Sequence, residues 1–151
     1  MGTGKERDAK YTIPRKDVVV AVVMDILNEA MTIRSQTLFH RLVTAKLREM
    51  GMKRFRLSPR RLRMITAKLD SVDLLIYCRE GDRRSRRSLC PVCGDNMIDI
   101  RNSTLYGWEV STGKACRTCS YWTGSRERIP TRYVFTLEKE KVLGETMETK
   151  G

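Results

Sequence analysis

One histidine, His40, is the whole of this chain's imidazole in 151 residues, and acids are scarce too, 18 against 30 Lys and Arg. With no second histidine and no carboxylate cluster, the usual acid–base and mixed His/carboxylate metal chemistries lack their residues. His40 lies fifty residues before the first of the clustered cysteines. It reads as a residue of a helix surface or boundary rather than a ligand. Long apolar runs are missing as well: the longest, residues 18–24, is far too short to cross a bilayer. The opening Met1-Gly2-Thr3-Gly4-Lys5-Glu6-Arg7-Asp8 has no apolar signal core, and the cysteine total of five is odd. A cytoplasmic protein with reduced thiols is expected.

Four of those cysteines form two CxxC pairs, Cys90/Cys93 and Cys116/Cys119, separated by residues 94–115. Two thiolate pairs brought together by a reversal of the chain supply four soft ligands at the corners of a tetrahedron, as zinc takes in closed structural sites. Cys90-Pro91-Val92-Cys93-Gly94 has proline to set one φ and glycine where the chain can turn to positive φ. The second pair, Cys116-Arg117-Thr118-Cys119-Ser120, is a looser match. The expected cofactor is one structural Zn2+. Four thiolates fill its coordination sphere, so the metal staples a fold and performs no chemistry. A metal-dependent nuclease on Asp95 and Asp99 is the weakest reading, because no histidine or third carboxylate lies near them in sequence.

The net charge of +12 is concentrated. Residues 53–63 hold Lys53, Arg54, Arg56, Arg60, Arg61 and Arg63 with no acid, and Arg83, Arg84, Arg86 and Arg87 follow in a second cluster. An ordinary soluble surface intersperses both signs, as the segment after Glu138 does. A surface this basic attracts polyanions, nucleic acid ahead of anionic membrane.

Hydrophobic spacing predicts three helices. Val19, Val22, Val23, Ile26, Leu27 and Ala30 recur at helical intervals, with Asp25, Asn28 and Glu29 opposite. After a short extended 32–34, Ser35 caps a second helix to about Met50, its apolar side drawn through Leu38, Leu42 and Ala45 and broadened by Phe39, Val43 and Leu47. Gly51 stops it. Ser58-Pro59 then opens a third helix to about Leu69, with Leu62, Ile65, Thr66 and Leu69 inward and Arg60, Arg61, Arg63 and Lys68 outward. Arginines in a first turn oppose the helix dipole, a cost that a partner anion offsets.

Alternation over 72–79 predicts a strand with Cys78 inward as an inert thiol, Glu80-Gly81-Asp82 a hairpin turn, and 83–87 a basic returning arm. Beyond Leu89, short strands at 97–100, 105–110, 121–123 and 131–137 complete the cysteine-bearing part. Tyr106, Trp108, Tyr121, Trp122, Tyr133 and Phe135 serve there either as core or as stacking surface. The expected fold is α+β: a flexible N-terminus (1–14), a winged helix-turn-helix domain (15–88), a zinc ribbon of antiparallel strands (89–137) and a polar tail (138–151).

In this order of parts, with Ser58-Pro59-Arg60-Arg61-Leu62 and Cys90-Pro91-Val92-Cys93-Gly94, the chain resembles archaeal winged-helix/zinc-ribbon predicted transcriptional regulators. It is more distantly similar to the alpha subunit of archaeal transcription factor E. The similar ribbons of transcript-cleavage factors carry an Asp-Glu dipeptide for catalytic magnesium, and none occurs here. The leading expectation is a non-catalytic, DNA-binding transcription regulator. Its contacts would be Arg54, Arg56, Arg60, Arg61, Arg63 and Lys68 around the recognition helix and Arg83, Arg84, Arg86 and Arg87 on the wing. A ribosome- or structured-RNA-binding zinc protein and a protein–protein adaptor touching RNA polymerase remain open, as does a homodimer through the first helix.

Overall fold

The computed structural model describes residues 11–138, so the expected N-terminal segment up to residue 10 and the tail from residue 139 lie outside the described residues. Helix α1 (Lys16–Ala30) forms where the valine spacing places it and buries Val19, Val22, Val23, Ile26 and Leu27. Strand β1 (Thr32–Ile33) follows at once. Helix α2 (Gln36–Glu49) starts where the Ser35 hydroxyl accepts the Leu38 N–H at 3.2 Å. Its inward face is Phe39, Val43 and Leu47, whereas Leu38 and Leu42 are exposed, so the stripe drawn through those two leucines is one residue out of register. The reason is the partner: Phe39 meets Phe135 with ring centroids 4.5 Å apart, and both rings are fully buried. Such burial stabilises by about 1.5–3 kcal/mol per side chain, which fixes the rotation of the helix.

Helix α3 (Pro59–Ala67) has Ser58 as its cap, accepting from the Arg61 N–H at 3.0 Å, and Pro59 in its first turn. Leu62, Ile65, Thr66 and Ala67 are buried, and the Thr66 hydroxyl donates to the Leu62 carbonyl at 2.8 Å. His40 is half-buried, with Nε2 donating to the Leu57 carbonyl at 2.5 Å.

Strand β2 (Val72–Arg84) keeps the predicted alternation, with Val72 and Leu74 buried and Asp73, Leu75 and Tyr77 outside. It does not turn at 80–82. Gly81 lies against the partner strand, where an added Cβ would come within 2.9 Å of Ile129 Cδ1, and the pairing shifts register between Glu80 and Arg84. The glycine permits a close approach at a bulge, not a hairpin tip.

The chain then leaves the strand for β3 (Met97–Ser103), β4 (Glu109–Cys116) and β5 (Trp122–Thr123), and comes back as β6 (Arg126–Leu137). β6 pairs antiparallel with β2 from Val72↔Leu137 to Arg84↔Arg126, and with β1 through Ile33↔Phe135. The two sheets are therefore β1-β6-β2 and β3-β4-β5.

This corrects the expected boundary at residue 88. The strand expected at 131–137 belongs to the sheet of the helical part, and the cysteine-bearing segment is an insertion between β2 and β6. Nor are there two separate cores. Cys90, Val92, Cys93 and Tyr121 belong to the same buried cluster as Val23, Leu62 and Phe135. The fold is α+β, three helices with two small antiparallel sheets.

Candidate metal centre and basic surface

The first cysteine turn is closed by its own backbone. Cys90 N–H donates to Asp95 O at 2.7 Å, Gly94 N–H donates to Cys90 O at 2.9 Å, and Gly94 takes φ 84°. The register of β3 with β4, Met97↔Cys116, then sets the second turn opposite the first. The four sulfurs of Cys90, Cys93, Cys116 and Cys119 all lie within 4.8 Å of one another. Cys90 and Cys119 sulfurs are 3.5 Å apart, and Cys93 and Cys116 sulfurs 3.4 Å.

A tetrahedron with metal–sulfur bonds of about 2.3 Å has edges of about 3.8 Å, whereas a disulfide has its sulfurs about 2.05 Å apart. The thiols are free, and their spacing fits one metal ion. Backbone N–H groups of Val92 and Thr118 point at the Cys90 and Cys116 sulfurs at 3.4 and 3.3 Å, a donation that favours thiolates. An all-sulfur donor set suits Zn2+ and leaves no position for substrate.

The thiols alone cannot share negative charge in so small a space. Cys90 is held down to about 5, first by its hydrogen bond with the Cys119 thiol. Cys119 is raised, chiefly because its proton serves that bond, and Cys93 is pushed up to about 12, chiefly by burial. A divalent cation among them removes the conflict, since coordinating thiols are deprotonated outright.

The expected contact residues part company in the structure. Arg63 points into the body: its guanidinium donates to Val92 O at 2.9 Å, Pro91 O at 3.1 Å and Gln36 Oε1 at 2.8 Å, and lies 4.7 Å from the Tyr133 ring centre. Lys68 pairs with Asp95 at 3.1 Å. Asp95 also accepts from the Thr118 hydroxyl, and that bond first, then Lys68, lowers its carboxyl below the usual range. These two cations therefore bind the first cysteine turn to α3. Their spacing along the helix could not separate a solvent-facing arginine from one that a distant loop would cover. Arg61 is half-buried, with Nη1 enclosed and without a partner among the described residues.

Arg54, Arg56 and Arg60 are exposed, Arg56 lying over the Tyr11 ring at 4.4 Å. Arg83, Arg84, Arg86 and Arg87 are exposed too, and together with Glu127 they line one open cleft. Arg87 pairs with Glu127 at 2.6 Å. Sequence reasoning missed Arg126, which the register sets directly opposite Arg84. The signal was present as Arg126, Arg128 and Arg132 at even spacing in a β-rich stretch, but it needed the pairing of β6 with β2 to be read.

Comparison of the chain with protein-family models, with curated proteins and with solved structures finds no match.

The aromatics divide. Tyr121 and Phe135 are buried and Tyr133 is half-buried, whereas Tyr106, Trp108 and Trp122 are exposed. Trp122 is covered on one face by Arg128, 3.9 Å above the ring. Cys78, raised by burial, is packed against the core. Among the described residues no helix is long and apolar enough to cross a membrane.

Proposed function

We propose that this chain is a non-catalytic, DNA-binding regulator of transcription, built as a winged helix whose wing is opened at its tip to receive a zinc ribbon. Three helices closed by a sheet of order β1-β6-β2, with β2 and β6 as the long pair, support the winged-helix reading. The four-cysteine cluster between those strands supports the ribbon.

The observation that carries the proposal is the arginine array on the two wing strands and just beyond them. Arg83, Arg84, Arg86 and Arg87 line one cleft, Arg126 lies opposite Arg84 in the ladder, and among the described residues one carboxylate, Glu127, pairs with this array, at Arg87. Like charges directly opposite on a sheet cost stability, and a row of phosphates offsets the cost. On α3 the contact role falls to the first turn, at Arg60, and to Arg54 and Arg56 before it. The first cysteine turn covers Arg63, while Lys68 stays exposed and is paired with Asp95. A helix that offers its N-terminal residues to base edges suits this geometry.

The test is equilibrium binding to duplex DNA, single-stranded DNA and structured RNA as salt is varied. Five or more neutralised phosphates give log K against log salt a slope of about −4 or steeper for duplex DNA. Replacing Arg84, Arg86 and Arg126 together by serine reduces that slope by roughly 3 units. A shallow slope, a slope unchanged in the triple variant, or tighter binding to the RNA overturns the proposal, the last in favour of an RNA-binding role.

A further inference from the structure

The distal part of the β3–β4 hairpin leaves the body. From Arg101 to Thr112 every residue except Thr104 is exposed, on both faces of the ribbon. Four residues of strand at about 3.4 Å each carry the tip on the order of 13 Å outward. Its turn is built, not loose. Thr104 N–H donates to Trp108 O at 2.6 Å, Gly107 N–H donates to Thr104 O at 3.0 Å, and Trp108 N–H donates to the Thr104 hydroxyl at 3.1 Å. Gly107 supplies φ 83°.

What this turn holds in solvent is apolar: Leu105 is 102% exposed, Tyr106 83% and Trp108 71%. The two rings lie 6.2 Å apart and tilted, a mutually supporting pair. No fold requirement accounts for them, because the core contains none of the three. Contiguous exposed apolar groups on a fixed turn mark a binding site.

Charge selects the occupant. Residues 97–110 contain Asp99, Arg101 and Glu109, two acids to one cation, in a chain of net charge +12. Arg101 lies between both carboxylates, 4.0 Å from Asp99 and 3.9 Å from Glu109. A surface that stacks on unpaired bases tracks the backbone with cations, and this tip has none to spare.

A second copy is disfavoured as well. The apolar groove between α1 and α2, lined by Ile26 and Leu42, is rimmed by Asp25, Glu29 and Glu49 against Lys46. Acid would meet acid. Two aromatic rings and a leucine offer on the order of 500 Å², short of the ~800 Å² per partner of a standard interface, so the tip is an anchor that a concave surface must enclose.

We propose that the β3–β4 hairpin tip, Leu105, Tyr106 and Trp108, inserts into an apolar groove with a basic rim on a partner protein. The site is independent of the DNA-binding arginines. Trp and Tyr in a desolvated pocket are the residue types that dominate such contacts.

The experiment places a photo-reactive benzoylphenylalanine at position 105 of the full chain in its own cells. The expected product is an adduct with one discrete protein that survives nuclease, with the cross-linked peptide mapping to an apolar surface flanked by Lys or Arg. The double variant Tyr106→Ser/Trp108→Ser lowers its yield at least tenfold while unchanged metal content and circular dichroism report an intact fold. Arg84→Ser/Arg86→Ser leaves the yield unchanged, which separates this site from the DNA reading. A nuclease-sensitive adduct, an adduct with a second copy, a yield unaffected by the tip substitutions, or no adduct overturns the proposal.

Discussion

Arg63 donates its Nε–H to the carbonyl oxygen of Val92 at 2.9 Å, so a side chain of α3 closes on the backbone between Cys90 and Cys93 of the four-cysteine cluster. The same guanidinium reaches Pro91 and Gln36 and lies against Tyr133. Removing it strands three partly buried carbonyl groups, two of the backbone and one of an amide, and hydrogen bonds to charged groups contribute about 1.5–3 kcal/mol. Arg63→Met is expected to lower stability to urea by roughly 2–3 kcal/mol while leaving the salt slope of duplex binding unchanged. A slope reduced by about one unit with unchanged stability would return Arg63 to the phosphate contacts.

The shared core makes a prediction about metal. Val92, Cys93 and Tyr121 pack with the helices, so loss of the ion should loosen more than the insertion. Both tryptophans, Trp108 and Trp122, lie in the insertion, and the helices lie outside it. Tryptophan fluorescence and the helical dichroism signal thus report the two parts separately. About one Zn2+ per chain is expected, and stripping it with a chelator, or Cys93→Ser, should lower both unfolding midpoints together, with a loss of stability on the order of 5 kcal/mol. A helical midpoint that stays fixed while the fluorescence transition moves would mean that the insertion folds on its own.

The helices and the cysteine quartet were legible because their signals are local. Ser35 and Ser58 cap where their spacing says, and the valines of α1 are buried at the predicted intervals. What failed was long-range. Glu80-Gly81-Asp82 has the composition of a turn, yet Gly81 serves the approach of Ile129, forty-eight residues later, and nothing nearby in sequence announces that partner. The assignment of 131–137 to the ribbon failed for the same reason: a strand's residues show that it is half-buried but not against which sheet. The inward turn of Arg63 and the pairing of Lys68 with Asp95 have the same origin, since an insertion folded back on α3 was not foreseen.

Gly113 is a sharp test of the ribbon's geometry. A Cβ there would lie 2.2 Å from the Thr123 carbonyl oxygen, a backbone atom that cannot move without breaking the pairing of β4 with β5. Gly124, nearby, has open space at the same position. Gly113→Ala should cost about 1–3 kcal/mol and weaken metal retention, because Lys114↔Thr123 pairing fixes the strand that carries Cys116. Gly124→Ala should be tolerated. Equal stability of the two variants, by thermal melts with metal content assayed, would show that β4 and β5 are not paired as described.

Arg84 and Arg126 oppose each other across the β2–β6 ladder, which sets the fold against the proposed function. A like-charged cross-strand pair costs about 0.2–1 kcal/mol, a repulsion that the shorter Debye length of high salt removes. Arg126→Thr should therefore raise the unfolding free energy in urea at low salt by about 0.5 kcal/mol, with the gain vanishing near 1 M salt. The same substitution should weaken duplex DNA binding and reduce the salt slope by about 0.9 if Arg126 contacts a phosphate. Opposite movement of stability and affinity is the signature to measure, in one protein preparation across one salt series. If Arg126→Thr loses stability at low salt, the pair is not in repulsion and no phosphate is needed to offset it. If stability rises while binding and slope stay constant, the wing surface is relieved of charge but takes no part in recognition.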